Sequence, residues 1–196
     1  MILPIIAYGD PVLRKKATVI SADYPKLDEL LANMYETMYN AHGVGLAAPQ
    51  IGLGIRLFLV DTSPFAEDEE LTEIEQKQLK DFKCTFINAK ILSEEGDEWA
   101  FNEGCLSIPH IREDVFRQPT IKIQYQDEDF NEHVKEFDGL LARVIQHEYD
   151  HIEGLLFTDK ISSFKKRLIK SKLQNISKGN INIDYLMKFP AQSKKR

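Results

Sequence analysis

The sequence predicts an α+β fold, in which mixed or antiparallel β-sheets pack around a central helix that carries an H-E-x-x-H motif. Further helices are expected near the N-terminus and the C-terminus. Strand-like segments are grouped ahead of the motif helix, without the regular strand–helix alternation of a parallel sheet. Helical periodicity appears in three separate segments, one near the N-terminus, one at the motif and one near the C-terminus. A chain of 196 residues suits one buried core, so we expect residues 1–196 to form a single domain.

The first helix is predicted over PKLDELLANMYETMYNAHG, with Asp23 ahead of it as a cap. Proline is favoured in the first helical turn, which places Pro25 near the start. Helical spacing is kept by the apolar residues Leu27, Leu30, Leu31, Met34, Tyr35 and Met38. Gly43 and Gly45 then end the helix, and IRLFLVDT predicts a strand. Residues Phe65 to Lys83 hold seven acids and three lysines, which predicts an exposed insertion, either a solvated loop or a short helix.

The segments beyond this insertion predict the rest of the fold. CTFINAKILS, EDVFRQPTIKIQYQD and NEHVKEFDG predict strands joined by turns. Pro119 is expected to start or edge a strand, because proline donates no hydrogen bond to a ladder. The motif helix is predicted over DGLLARVIQHEYDHIEG, with Asp138 at its N-cap and Gly154 at its C-terminal end. ISSFKKRLIKSKLQNISKG predicts a last helix, and NINIDYLMKF predicts a last strand.

The charges of the chain are unevenly distributed. From Lys160 onward eleven Lys and Arg residues stand against one acid, so this segment carries about +10. Because the whole chain carries −6, residues 1–159 carry about −16. We therefore expect a basic C-terminal helix and tail over about residues 160–196. Such an asymmetry can mark a contact with nucleic acid or another anion, although a solvated helix face is the more frequent cause.

The remaining composition indicates a cytoplasmic protein without membrane contact. No apolar run approaches the roughly 18–20 residues that cross a bilayer. The N-terminus has neither the basic segment nor the small-residue cleavage site of a signal peptide. Two cysteines, Cys84 and Cys105, do not make a disulfide framework.

The stretch QHEYDH places His147, Glu148 and His151 in the H-E-x-x-H arrangement of many metallohydrolases. At about 100° per residue, these three side chains fall within an apolar arc of the helix. The polar residues of the same helix cluster on another side, at Arg143, Gln146, Asp150 and Glu153. An unpaired carboxylate in an apolar arc is costly, whereas two imidazoles on adjacent turns can bind one ion. The pattern favours a metal site over a pair of hydrogen-bonded core histidines.

Two histidines do not complete a catalytic metal site, which usually has three protein ligands and one open position. The candidates for the third ligand are several acids, Cys84, Cys105, His110 and His133. Cys105 has the edge, because Gly104 before it permits a close backbone approach and its thiolate suits Fe²⁺ or Zn²⁺. Cys84 lies in a strand-like setting typical of packing. His42, like His110 and His133, is expected to be a loop or surface residue.

A third stretch, HGVGLAAPQIG, adds groups that a hydrolase needs. Gly43 and Gly45 allow a substrate to run close to the backbone. Gln50 offers a neutral N–H donor for a carbonyl oxygen that becomes negative under attack. Taken alone, the same stretch also fits a simple glycine turn between a helix and a strand.

Taken together, GVGLAAPQIG, EGCLSIP and QHEYDH resemble the three motifs of the peptide deformylase family, in the same order. The resemblance extends from about Leu3 to the helix near Ser171, and EGCLSIP is similar to the first type of this family, common in bacteria. It implies a single catalytic domain that removes the formyl group from the N-terminal formylmethionine of new proteins and releases formate. The acidic insertion departs from the most compact members.

The resemblance also implies a role for each matching residue. Cys105, His147 and His151 would hold one divalent ion, Fe²⁺ by resemblance, with Zn²⁺, Ni²⁺ or Co²⁺ able to substitute. Glu148 would be the general base and acid while metal-bound water attacks the formyl carbon. Gln50 and the N–H of Leu106 would form the oxyanion hole. The positions implied for substrate binding are Val44, Gly45, Glu103, Arg112 and Val144.

The implied partners are the N-formylmethionyl ends of nascent polypeptides, and a monomer that binds no DNA is expected. A contact of the basic C-terminal helix with ribosomal RNA is a further hypothesis. One alternative is a zinc endopeptidase, which Cys105 and the lack of a downstream ligand disfavour. Another is a non-catalytic, metal-stabilised peptide-binding module, which Glu148 and Gln50 disfavour because neither is needed to hold a metal.

Overall fold

The structure, a computed structural model, describes residues 1–67 and 71–190, except for the side chain of Glu67. The strands are β1 (Ile5–Ile6), β2 (Gly45–Ala47), β3 (Leu57–Asp61), β4 (Lys83–Glu95), β5 (Trp99–Cys105), β6 (Ile108–Arg117), β7 (Thr120–Gln126), β8 (Glu132–Asp138) and β9 (Met187–Lys188). The α-helices are α1 (Leu27–Asn40), α2 (Glu73–Lys80), α3 (Gly139–Ile152) and α4 (Ser163–Ser177). Across the residues that the structure describes, no helix has both the length and the apolar character needed to cross a bilayer.

Three sheets surround the motif helix α3, which confirms the predicted α+β class. Five antiparallel strands form the largest sheet, in the order β2-β3-β4-β7-β8. Strands β5 and β6 form a separate antiparallel hairpin, and β1 pairs in parallel with β9. The apolar face of α3, including Val144 and Ile145, shares a buried core with Phe58, Phe86 and Ile121 of the large sheet. Because α3 lies against this sheet, its position in the fold is fixed by apolar packing.

Most predicted elements are present, with local corrections. Helix α1 begins at Leu27, two residues later than predicted, because Pro25 and Lys26 form a turn with Lys26 in the left-handed region at φ 55°. Asp23 accepts a hydrogen bond from the Ser21 hydroxyl and does not cap the helix. Pro119 lies between β6 and β7, as expected. Strand β5 was not predicted, since Asn102 and a glycine interrupt its pattern with poor strand formers.

The acidic insertion contains the short helix α2, which Thr72 and Glu75 begin with a capping box. The predicted exposure is confirmed for Ile74, which is 73 % exposed, and is wrong for two other apolar residues. Leu79 is buried, and Phe65 packs against the core around α3. Residues 68–70 of the insertion lie outside the described residues. Part of the insertion is therefore packed against the rest of the protein.

The basic segment forms α4, whose N-cap Ser162 accepts a hydrogen bond from the Lys165 N–H. One side of α4 is buried through Ile169, Leu173 and Ile176, while most of its cations are exposed. The chain then returns to pair β9 with β1, so the predicted last strand is present but shorter. The end of the predicted basic tail, residues 191–196, lies outside the described part of the chain.

Candidate metal centre

Three side chains converge at the centre of the molecule. Cys105 lies at the end of β5, while His147 and His151 lie on adjacent turns of α3. Their potential ligand atoms all lie within 4.8 Å of one another, and the Cys105 Sγ is 3.3 Å from the His151 Nε2. Among the described residues, no other group of three or more His, Cys, Asp or Glu side chains is arranged in this way. Of the candidates left open by the sequence, Cys105 is the one placed beside both histidines.

The hairpin β5–β6 brings Cys105 to the helix. Cys105 pairs with Ile108 across a two-residue turn, Leu106–Ser107, and the register of the hairpin shifts between Gly104 and Cys105. Such an irregularity re-aims a side chain at the end of a strand. The ligand from the strand and the two from the helix can therefore face one point.

The imidazoles differ in their surroundings. Burial lowers the pKa of His151 well below its usual value, so its ring is neutral. Burial would also lower the pKa of His147, but hydrogen bonds with Cys105 and Glu103 raise it well above the usual value. The buried Nδ1 of His151 has no hydrogen-bond partner within residues 1–67 and 71–190. A neutral imidazole facing a thiol is a donor set that suits Fe²⁺ or Zn²⁺.

Glu148 is buried beside this cluster at 4 % exposure. Burial raises the pKa of Glu148 to about 7. Its Oε2 has no hydrogen-bond partner in the part of the chain that the structure describes. A carboxyl group with a pKa near neutrality can both accept and return a proton.

Gly45 is required by the position of Glu148. A Cβ atom added at Gly45 would lie 2.6 Å from the Glu148 Cδ, closer than real Cβ contacts come. The sequence favoured a close substrate approach at this glycine, and the structure shows that the Glu148 carboxylate also lies against it. The motifs GVGLAAPQIG and QHEYDH are therefore in direct contact.

We expect Gly45→Ala to lower kcat by at least about tenfold, because displacement of a reacting group by even 1 Å costs roughly 10²-fold. Steady-state release of formate, the activity that the sequence resemblance implies, and metal content would be measured on the purified variant. Gly54→Ala is the matched control, since a Cβ there meets nothing within 4 Å. Equal kcat values for the two variants would contradict the idea that Gly45 makes room for the Glu148 carboxyl group.

Gln50 lies in a short 3-10 helix, Ala48–Ile51, and is buried. Its Oε1 accepts the Ala47 N–H at 2.8 Å. Its Nε2 therefore points the other way and lies 3.4 Å from the Cys105 Sγ and 3.4 Å from the Ser107 Oγ. The amide nitrogen is held as a donor at the edge of the cluster.

The Nδ1 atom of His147 forms a hydrogen bond with a buried network of charged side chains. Glu103 accepts hydrogen bonds from the His147 Nδ1 at 2.9 Å, from Arg117 at 2.7 and 2.9 Å, and from Arg143 at 3.0 Å. Arg117 also donates to Asp150 at 2.7 Å. Burial would raise the pKa of Glu103, but the bonds with Arg117 and His147 hold it well below its usual range. Glu103 is thus a carboxylate that fixes the orientation of one candidate ligand.

This network was not predicted. The helical wheel placed Arg143 and Asp150 away from the histidines, yet both are buried because charged groups from β5 and β6 pair with them. The signal in the sequence is a charged residue, Arg117, two positions after Val115 on the face of β6 that Ile111 and Val115 bury. Its partners are far away in sequence, so their pairing could not be inferred from spacing.

A cavity of about 440 Å³ opens beside the cluster. Its lining includes all five positions expected to bind substrate, which are Val44, Gly45, Glu103, Arg112 and Val144. His42 and His110 also line it, and both are exposed, as the sequence predicted. Phe65, Phe101 and Tyr185 belong to the lining and were not predicted as site residues. The cavity therefore brings together residues from all three motifs, from the insertion and from the C-terminal segment.

Comparison with known proteins identifies the family. A family model described as Polypeptide deformylase matches residues 2–167. The chain belongs to the polypeptide deformylase family. It is therefore a metal-dependent hydrolase that removes the N-formyl group from nascent peptides, as the resemblance implied. The endopeptidase and binding-module alternatives are not supported.

Relatives and solved structures agree with family membership. The chain is 67% identical over 196 residues to peptide deformylases from Christiangramia forsetii and Flavobacterium johnsoniae. Each alignment covers 100% of this chain and 100% of the relative. The crystal structure of a peptide deformylase from Legionella pneumophila matches with a TM-score of 0.76 and 34% identity, covering 92% of this chain and 98% of that one. The Thermotoga maritima deformylase matches with a TM-score of 0.71 and 36% identity, covering 83% and 99%.

Proposed function

We propose that Cys105, His147 and His151 bind one divalent ion, Fe²⁺ in the native enzyme, and that Glu148 moves the protons of deformylation. The observation that carries this proposal is the convergence of three ligand atoms within 4.8 Å beside a buried carboxyl group. When bound, the ion would act as a Lewis acid that activates water for attack on the formyl carbon. One sulfur and two nitrogen ligands leave a position open for this chemistry.

Glu148 is proposed as the general base and then the general acid. Its carboxylate takes the proton of the attacking water and returns a proton to the departing amine nitrogen. Burial favours this exchange because it raises the pKa of Glu148 to about 7. Gly45 leaves the space that the carboxyl group occupies.

Gln50 and the Leu106 N–H are proposed to stabilise the negative oxygen that develops on the formyl carbonyl. The Gln50 amide suits this role because its Oε1 is already engaged by the Ala47 N–H and its Nε2 faces the Cys105 side of the site. Donors fixed before the reaction stabilise developing charge without reorganisation. Loss of one such donor typically costs about 10²- to 10³-fold in kcat.

The substrate is proposed to bind as an added strand. Strand β2, which contains Gly45, lies at the edge of the five-stranded sheet, and an extended peptide can pair with such an edge. Val44, Val144 and Arg112 line the cavity in which the methionine side chain would lie. For Glu103 the contacts favour a different task, since its oxygens already accept bonds from His147 and two arginines.

The experiment that tests this function combines anaerobic metal analysis with a formate-release assay. We expect one iron per chain, release of formate from a formyl-Met peptide, and loss of activity on chelation that Fe²⁺ restores. Unblocked peptides should stay intact. Cleavage inside unblocked peptides, or a metal-free enzyme with full activity, would contradict the proposal.

We also propose that α4 contacts ribosomal RNA in the cytoplasm, where nascent chains emerge. Arg167 and Lys170 lie one turn apart and are exposed, so they can meet phosphates without unfolding the helix. Reversing both to glutamate should lower co-sedimentation with ribosomes in low salt several-fold, while formate release from free peptides stays unchanged. Lys77 and Lys80, exposed on α2, give the matched control when reversed to glutamate. Equal co-sedimentation of the two double variants would contradict a specific contact.

A further inference from the structure

The segment that follows α4 returns to the active site. Its strand β9 is fastened to β1, where the Ile5 N–H donates to the Leu186 carbonyl and the Ala7 N–H to the Lys188 carbonyl, both at 2.9 Å. On the other side, the His110 Nε2 lies 2.7 Å from the Asn182 carbonyl oxygen. The segment is thus held both before and after Tyr185. It lies beyond residues 2–167, which the family model matches.

Tyr185 reaches from this segment to the turn that carries Leu106. Its hydroxyl donates a hydrogen bond of 2.7 Å to the Leu106 carbonyl oxygen, and its side chain lines the cavity. Burial raises the pKa of Tyr185, so the hydroxyl stays protonated and able to donate. The two residues are 79 positions apart in sequence.

Within the described part of the chain, three hydrogen bonds from outside the hairpin hold the turn Leu106–Ser107. Besides Tyr185, the Tyr8 N–H donates to the Ser107 carbonyl at 2.9 Å, and the Gln50 Nε2 lies 3.4 Å from the Ser107 Oγ. The Leu106 carbonyl and the Leu106 N–H belong to the two peptide groups on either side of one Cα atom. Because each peptide group is planar, a bond to the carbonyl restrains the dihedral angles that set the direction of the N–H.

We propose that Tyr185 is a positioning residue for deformylation, which holds the Leu106 turn so that its N–H faces the formyl oxygen. This inference rests on the proposed role of the Leu106 N–H in the oxyanion hole. Tyr185 acts through Leu106, because its hydroxyl contacts the backbone of the turn and its single O–H donor is used there. The C-terminal segment is thereby part of the active site.

The test is Tyr185→Phe, which keeps the ring and removes the hydroxyl. We expect kcat to fall about fivefold to tenfold, as loss of one hydrogen bond implies, with KM within about twofold of wild type. In the zinc-loaded protein, NMR should show faster hydrogen exchange at the Leu106 amide, while the zinc content stays unchanged. Tyr8→Phe is the control, because it also removes a tyrosine hydroxyl but leaves the bond of the Tyr8 N–H to the Ser107 carbonyl in place.

Unchanged kcat in Tyr185→Phe would overturn the proposal, whether or not exchange at the Leu106 amide changes. Loss of zinc in Tyr185→Phe would also overturn it, since the hydroxyl would then act on the metal ligands. Gln50→Ala is measured in parallel, so that a wrong role for Tyr185 can be distinguished from a wrong assignment of the oxyanion hole. A normal kcat in Gln50→Ala contradicts the oxyanion hole, whereas a low kcat there beside a normal kcat in Tyr185→Phe contradicts only the role of Tyr185.

Discussion

Replacement of Glu148 by alanine is expected to abolish formate release while one metal ion per chain remains bound. The Glu148 carboxyl group lies outside the set of Cys105, His147 and His151, so its removal leaves the three ligand atoms in place. The variant loses the only acid beside Gly45 that we assign to proton transfer, and kcat should fall at least about 10³-fold. The measurement is formate release from a formyl-Met peptide, paired with metal analysis of the same sample.

Glu148→Gln is the stricter companion of this variant, since it keeps the shape of the side chain beside Gly45 and removes only its ability to carry a proton. Glu132→Gln, at an exposed position of β8, controls for the loss of a negative charge elsewhere. Substantial turnover in either Glu148 variant with metal bound would show that another group transfers the proton.

Replacement of Cys105 by alanine is expected to remove the metal and, with it, the activity. Loss of a residue that only orients a ligand typically lowers metal affinity about 10- to 100-fold, so loss of the ligand itself should exceed about 10²-fold. Metal content after dialysis against a chelator of known affinity gives this number directly. Formate release should fall in proportion to the bound metal.

Cys84→Ala is the matched control for Cys105. Cys84 lies in β4, where its Sγ is 3.7 Å from the Tyr125 hydroxyl and its side chain packs against the core around Phe86. This variant should keep both metal and activity, whatever it does to stability. If Cys84→Ala lost the metal and Cys105→Ala kept it, the assignment of the third ligand would be wrong.

Much of the metal site could be predicted because it follows from local spacing. His147, Glu148 and His151 lie on one face of a helix whose periodicity is clear, and the structure places all three inward. Cys105 could be favoured only by its neighbours, because its distance from the histidines depends on the hairpin β5–β6. Strand β5 itself was missed, since Gly104 and its polar neighbours break the strand pattern.

The supporting residues could not be predicted, because each contact joins distant parts of the chain. Arg117 and Arg143 meet at Glu103 only when β5, β6 and α3 pack together. The same holds for Phe65, which belongs to a segment whose acidic composition indicated exposure, and for Tyr185, which follows a basic helix. The composition of a segment indicates only its average exposure. It cannot show that a single side chain, such as Phe65 or Tyr185, is partly buried within an otherwise exposed segment.

One sulfur and two histidine nitrogens are proposed to hold the metal on which deformylation depends. X-ray absorption spectroscopy at the metal edge measures these ligands, on active enzyme loaded with iron under anaerobic conditions. We expect one sulfur scatterer and two imidazoles in the wild-type protein, from Cys105, His147 and His151. The sulfur signal should be lost when the Cys105→Ala variant is forced to bind metal at high concentration. A metal ion without a sulfur ligand in fully active wild-type enzyme would show that Cys105 does not bind it.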